Sequence, residues 1–175
     1  MIASIKHVRV QGFALALLVF TIDQTVKWLM VKPLKLQEIG SIDLLPFFAL
    51  RWTENYGVSL GMFTATSNEM RLGLIAVTSA IALGVAVWML REKTRADVLG
   101  LALVLGGALG NIWDRMTFGY VIDYADLHIG EWRPFLIFNI ADAAITIGVL
   151  ILLARSLLSR EKPANNGDTN ATETN

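Results

Sequence analysis

"FNIADAAITIGVLILLARSLL", Phe138–Leu158, decides how this chain folds. From Ile140 to Ala154 it is an apolar run whose one charged residue is the carboxylate of Asp142. About 20 apolar residues at ~1.5 Å rise cover the ~30 Å hydrocarbon core of a bilayer, so the run reads as a membrane-spanning helix. A carboxylate at the centre of a span costs roughly 2.5–3.5 kcal/mol on insertion scales. Asp142 stands at the start of the run instead, near a water boundary, and its meaning depends on which polar groups meet it there.

The rest of the chain fits a membrane setting. Hydrophobic residues make up 54% of the 175 residues, charged residues only 17%, and mean hydropathy is +0.53. Soluble domains average about 25% charged. Three further stretches reach spanning length: about 12–31, 70–90 and 96–113, with the fourth at about 137–158. Open strands cannot satisfy their backbone in lipid, so all four are helices. The fold class is an all-α membrane protein, a four-transmembrane-helix bundle with a small β-rich extracytoplasmic first loop. The first stretch is a retained helix, because Asp23 and Lys27 interrupt it and no small-x-small cleavage site follows.

Composition also excludes function classes. With 15 basic and 15 acidic residues, no nucleic-acid partner is indicated. The absence of Cys rules out disulfides, thiolate catalysis and Cys-ligated metals. His7 and His128 are the only histidines, a poor basis for bis-His haem ligation. No metal or cofactor is called for.

Basic residues near span ends set the orientation. Lys6 and Arg9 precede the first helix, Arg91, Lys93 and Arg95 fill the second turn, and Arg155, Arg160 and Lys162 end the fourth. Both termini are therefore expected in the cytoplasm, with loops of about 32–69 and 114–136 facing outward. The first outer loop, rich in Ile42, Leu44, Phe47, Phe48 and Trp52, predicts short strands lying at the membrane interface. Trp28, Trp52, Trp113 and Trp132 read as markers of interface depth. Residues 1–160 read as one membrane domain and the polar tail 161–175 as disordered.

In this topology the intramembrane polar groups converge on the outer boundary. Asp23 and Lys27, at i, i+4 with the acid first, favour a pair. Asn111, Asp114 and Arg115 end the third helix, Asn139 and Asp142 begin the fourth, and Asp123 and Asn55 come from the two outer loops. "GGALG", Gly106–Gly110, contains G-x-x-x-G, which predicts a close approach of the third helix to the fourth. Two carboxylates in a partly dry pocket share one proton, so that one activates water and the other polarises a carbonyl. That chemistry needs no Ser, Cys or metal. On spacing alone, Asp126 rivals Asp123 as a partner for Asp142.

Four blocks in order resemble one family, the bacterial lipoprotein signal peptidases (signal peptidase II). "DQTVK" at Asp23–Lys27 is similar to its D-Q-x-x-K, and "ENYGVSLGMF" at Glu54–Phe63 resembles its N-x-G block. "GGALGNIWDRMTFGYVIDY" at Gly106–Tyr124 and "FNIADAAITIG" at Phe138–Gly148 resemble its two aspartate blocks. The resemblance implies an aspartic endopeptidase of the bacterial cell inner membrane, with Asp123 and Asp142 as catalytic pair. It implies diacylglyceryl-modified prolipoprotein substrates, surrounding membrane lipid, and inhibition by the cyclic peptide globomycin. It implies that Asn55, Asn111, Arg115, Asn139, Asp23 and Lys27 bind substrate or support the site. The chain departs from the pattern at Tyr56, Val58 and Ser59, at Ala143 where Ser is frequent, and at Pro134, four residues before Phe138.

Other readings keep their place beside this one. Asp114 is expected to be structural, paired with Arg115 or another base, and His128 to be a surface residue. A transporter needs polar groups through the full depth of the membrane, yet the second helix offers only Thr78 and Ser79 inside. A metal hydrolase could draw on Asp123, Asp126, His128 and Asp142. A non-enzymatic assembly factor would tolerate isosteric Asn at its acids.

Overall fold

The structure, a computed structural model, describes residues 2–57 and 68–160. Val58 and Ser59 and the tail 161–175 lie outside the described residues. In chain order the elements are α1 (Ile2–Val31), α2 (Leu36–Ile39), β1 (Ser41–Leu45), β2 (Phe48–Asn55), α3 (Asn68–Arg91), α4 (Arg95–Thr117), β3 (Val121–Leu127) and α5 (Ile140–Arg160). Four of these helices are long and apolar enough to cross a membrane: α1, α3, α4 and α5. Their outward faces carry exposed Leu17, Val77, Ile81, Leu83, Leu150 and Leu153, an apolar surface that suits lipid.

Three helix boundaries depart from the sequence expectation. Helix α1 starts at Ile2, because residues 2–11 hold neither Gly nor Pro and nothing breaks the helix where the apolar run ends. Its 30 residues make a rod of ~45 Å, longer than the hydrocarbon core. Helix α4 continues to Thr117, past the expected end at about 113, and carries Asp114 and Arg115 in its last turns. Helix α5 begins at Ile140, with Asn139 placed just ahead of it as the capping residue.

Helix α4 is central and packs against α1, α3 and α5. Glycines make this possible, though the G-x-x-x-G pair does not face the fourth span as expected. A Cβ at Gly106 would lie 2.5 Å from the Ala16 carbonyl, and one at Gly110 2.5 Å from Asp23 Oδ2, so that pair faces α1. The glycine between them, Gly107, takes α5: its Cβ would collide with the Ala141 carbonyl oxygen. Lower down, Gly100 and Gly148 meet backbone to backbone. Small residues on two sides of one helix let it approach two neighbours.

The start of α1, the 91–95 turn and the last turns of α5 gather at one end of the bundle. Arg9 Nε donates to the Glu92 carbonyl at 3.4 Å, and Arg155 pairs with Asp97 at 2.5 Å. The sheet caps the other end. Strands β1 and β2, in the loop between the first two spans, form an antiparallel hairpin, as expected. The sheet is not confined to that loop, however. Strand β3, from the loop between the last two spans, pairs antiparallel with β2 to give the order β1-β2-β3. Met30, Leu36, Leu50, Ile122 and Tyr124 form the apolar core that seats the sheet on the C-terminal end of α1, with Trp52 packed against it. Trp52 is thus partly a core residue, whereas Trp28, Trp113 and Trp132 are exposed.

Candidate active site

A bulge in β2 organises the site. Ala49 pairs with Asp126 and Thr53 with Asp123, so four steps along β2 match three along β3. One extra residue reverses which face the odd-numbered positions of β2 occupy relative to β3. At the start of the bulge, just past the Leu50–Ala125 pair, Arg51 reaches Asp126, with Nε donating at 3.0 Å, and beyond the bulge Asn55 reaches Asp123 on the opposite face. Asp123 and Asp126, three residues apart in a strand, point to opposite sides.

Asp123 is buried and both its oxygens are held: Asn55 Nδ2 donates to Oδ2 at 2.9 Å and Asn139 Nδ2 to Oδ1 at 2.7 Å. Burial first, and the charge of Asp142 second, push its carboxyl up to about 7, against the opposing pull of Asn55, Asn139 and Lys27. The pair therefore keeps one proton up to that pH.

Asp142 is half-buried and opens the first turn of α5. Asn111 Nδ2 donates to its Oδ1 at 2.8 Å. Its N–H donates to Asn139 Oδ1 at 2.9 Å, while the Asn139 N–H donates back to Asp142 Oδ2 at 3.3 Å. This is a reciprocal cap with Asn in the cap position and Asp three residues on. Asn139 thus serves two tasks: its carbonyl oxygen starts the helix carrying Asp142, and its amide nitrogen holds Asp123.

Beneath the carboxylates lies a dry ionic layer. Lys27, 2% exposed, bridges Asp23 at 2.8 Å and Asp114 at 2.7 Å, both fully buried. The expected Asp23–Lys27 pair is present, and the base for Asp114 is Lys27, not Arg115. Gln24, the second residue of the D-Q-x-x-K block, donates to Asp114 Oδ1 at 2.9 Å and Asp23 Oδ2 at 3.1 Å. The layer positions backbone as well: Asp23 Oδ1 accepts from Ala141 N at 3.0 Å and Asp114 Oδ2 from Ile122 N at 3.1 Å. Ala141 neighbours Asp142, and Ile122 neighbours Asp123. Lys27 also approaches Asn111 Oδ1 at 3.4 Å, which links the layer to the pair above.

Arg115 donates to the Asn111 carbonyl of its own helix at 3.4 Å and lies within electrostatic reach of Asp142 and Asp123. It forms no ion pair with either among the described residues. All eight site residues singled out in the sequence thus come together. Asp126 does not join them: Arg51, Arg133 and, at 4.0 Å, His128 surround it on the far face of β3. The constellation Asp123, Asp126, His128 and Asp142 is therefore not assembled. His128 is half-buried beside Asp126, contrary to the surface position expected of it. An apolar pocket of about 340 Å³ opens beside Asp142, lined by Leu127, Phe135, Leu136, Phe138, Ala143, Thr146 and Ile147.

Residues 15–158 match the family model described as Signal peptidase (SPase) II. A lipoprotein signal peptidase of Sphingopyxis alaskensis is 56% identical over 151 residues, covering 86% of this chain and 87% of the relative. One of Rhizorhabdus wittichii is 55% identical over 159 residues, covering 90% and 92%. Two solved structures, each titled a bacterial membrane enzyme, share the architecture. One gives a TM-score of 0.75 at 25% identity over 90% of this chain and 94% of its own. The other gives 0.72 at 27% identity over 84% and 92%.

Proposed function

Because the chain belongs to the signal peptidase II family of aspartic endopeptidases, we propose that Asp123 and Asp142 are the pair with which it removes signal peptides from prolipoproteins. The observation that carries this reading is the shared asparagine: Asn139 binds Asp123 through its side chain and fixes Asp142 through a reciprocal cap. The ionized member of the pair takes a proton from water, whose oxygen attacks the scissile carbonyl carbon. The protonated member donates to the carbonyl oxygen; as the C–N bond breaks, the acid that took water's proton gives it to the leaving nitrogen and the other takes one from the diol, which restores the singly protonated pair. The raised carboxyl of Asp123 suits the protonated role at neutral pH.

Residues 1–160 act as one peptidase domain in the bacterial inner membrane, with both termini cytoplasmic and the pair at the periplasmic boundary. The clustering of Arg9, Arg91, Lys93, Arg95 and Arg155 at the end opposite the sheet supports this orientation. The diacylglyceryl chains stay in the bilayer, and cleavage falls just before the lipidated Cys. Globomycin is expected to compete with the substrate. The Asp23–Lys27–Asp114 layer supports the pair from below, and Asn55 and Asn111 orient its oxygens.

The test is cleavage of a diacylglyceryl-modified prolipoprotein by purified protein in detergent, with chelator present throughout. Wild type is expected to cleave, and Asp123→Asn and Asp142→Asn each to lose at least ~10²-fold, the scale of a positioned acid or base. Near-full activity in either variant removes that Asp from the chemistry. Wild type inert on this lipidated substrate removes the metal-free peptidase reading.

A further inference from the structure

The second acid of "IDYAD", Asp126, has no part in the chemistry above, yet it is fully buried and the most heavily paired carboxylate of the sheet. Its partners come from two places. Arg51 lies on β2, inside the sheet. Arg133 lies outside any regular element, in the segment that leaves β3 after Leu127 and returns to it at Phe138. Arg133 Nε donates to both Asp126 oxygens, at 3.1 and 3.2 Å.

That segment is a closed loop. Ile129 and Trp132 bridge each other across a turn at Gly130, and Phe138 exchanges backbone hydrogen bonds with Ala125 at 2.8 and 3.2 Å. Between the Arg133 anchor and the Phe138 anchor stand Phe135 and Leu136, 61% and 80% exposed, which wall the pocket beside Asp142. Two large apolar side chains so exposed in a loop do not hold it by their own burial. Backbone bonds hold its start, His128 N–H to the Phe47 carbonyl at 3.0 Å and Ile129 to Trp132, and Phe138 holds its end; the side-chain anchor nearest the wall is the Asp126–Arg133 pair.

We infer that Asp126 and Arg133 form a clasp that positions the Phe135–Leu136 wall against Asp142, and so set how tightly the enzyme binds the apolar part of its substrate. They are positioning residues that touch no reacting atom. The inference rests on the proposed peptidase reading only in needing a cleavable lipidated substrate; it does not require that either acid of the pair be catalytic.

The experiment measures kcat and KM on the lipidated prolipoprotein for wild type, Arg133→Ala, Arg51→Ala, Leu136→Ala and the double variant Arg133→Ala/Leu136→Ala. Arg133→Ala is expected to raise KM about tenfold with kcat within about twofold, the pattern of lost ground-state binding. Leu136→Ala should do the same, and the double variant should be no worse than either single, because the clasp acts through the wall. Arg51→Ala removes a partner of the same carboxylate without freeing the loop, and should leave KM near wild type. Equal KM effects of Arg51→Ala and Arg133→Ala, additive effects in the double variant, or a loss confined to kcat each overturn the clasp. Failure of the catalytic reading is seen separately, in Asp123→Asn and Asp142→Asn.

Discussion

Asn139 and Asp142 cap one another: each backbone N–H donates to the other's side-chain oxygen, at 3.3 and 2.9 Å. Asn139 Nδ2 donates most closely to Asp123, at 2.7 Å, and at 3.2 Å to Asn111 Oδ1 and the Ile122 carbonyl, so one residue ties a helix start to a strand. The two tasks separate by substitution. Asn139→Ala loses both and is expected to lower stability by about 1 kcal/mol through the lost cap and activity by about 10²-fold. Asn139→Ser keeps an oxygen for the Asp142 N–H but has no amide to reach Asp123. It should recover thermal stability in detergent and leave activity low. Full activity in the Ser variant would show that the contact to Asp123 is dispensable.

The pH profile follows from Asp123. Its carboxyl is raised from 3.8 to about 7, so the folded protein holds a proton there that the unfolded chain has already lost. Stability from this group is therefore present at low pH and declines as pH rises from about 3.8 to about 7. Catalysis needs the singly protonated pair, so kcat/KM should fall on the alkaline side with a midpoint near 7. Asn55 donates to the charged carboxylate and lowers its pKa. Asn55→Ala should thus move the alkaline limb upward, whatever it does to the maximum rate. A limb that stays in place would mean that another group controls it.

Lys27 is buried between two carboxylates, and the loss from breaking this layer should depend on which member is removed. Lys27→Met leaves Asp23 and Asp114 facing each other without a cation, and about 3–5 kcal/mol of stability should be lost. Asp23→Asn leaves Lys27 paired with Asp114 and keeps an oxygen for Ala141 N, so its loss should be smaller. Thermal unfolding in one detergent ranks the two variants. A reversed order would place the main cost on the acids.

Much of this arrangement was legible in the sequence, and the exceptions have physical causes. Spans declare themselves by length and hydropathy, and Asp23–Lys27 by its i, i+4 spacing. That Lys27 also serves Asp114 was hidden, because 87 positions separate them and only packing of α4 on α1 brings them together. Asp114 pairs with Lys27 and accepts from the Ile122 N–H within the last turns of α4, which runs to Thr117, past the expected boundary. Strand β3 was unmarked because Val121 through Asp126 are buried on both faces, which removes the apolar–polar alternation that reveals a half-buried strand. The family resemblance singled out Asp123 over Asp126, and alternation along β3 puts the two on opposite faces, but the β2 bulge that gives Arg51 to one and Asn55 to the other has no sequence signal.

The glycines of α4 give the last prediction. Gly107 meets the Ala141 carbonyl one residue ahead of Asp142, whereas Gly84 of α3 has nothing within 4 Å of where a Cβ would stand. Gly107→Ala must push α5 away from α4, and overpacking of this kind costs about 1–3 kcal/mol. The shift also moves the start of α5, where Asn111 reaches Asp142 at 2.8 Å. Activity should therefore fall along with stability. Gly84→Ala adds a methyl to an open helix surface and removes backbone freedom from the unfolded chain, so it should be neutral or gain up to about 1 kcal/mol. Thermal unfolding and cleavage rates of the two variants check this directly. Equal behaviour would mean that α5 can slide on α4 without disturbing the pair, and would weaken the claim that helix spacing sets the geometry of Asp142.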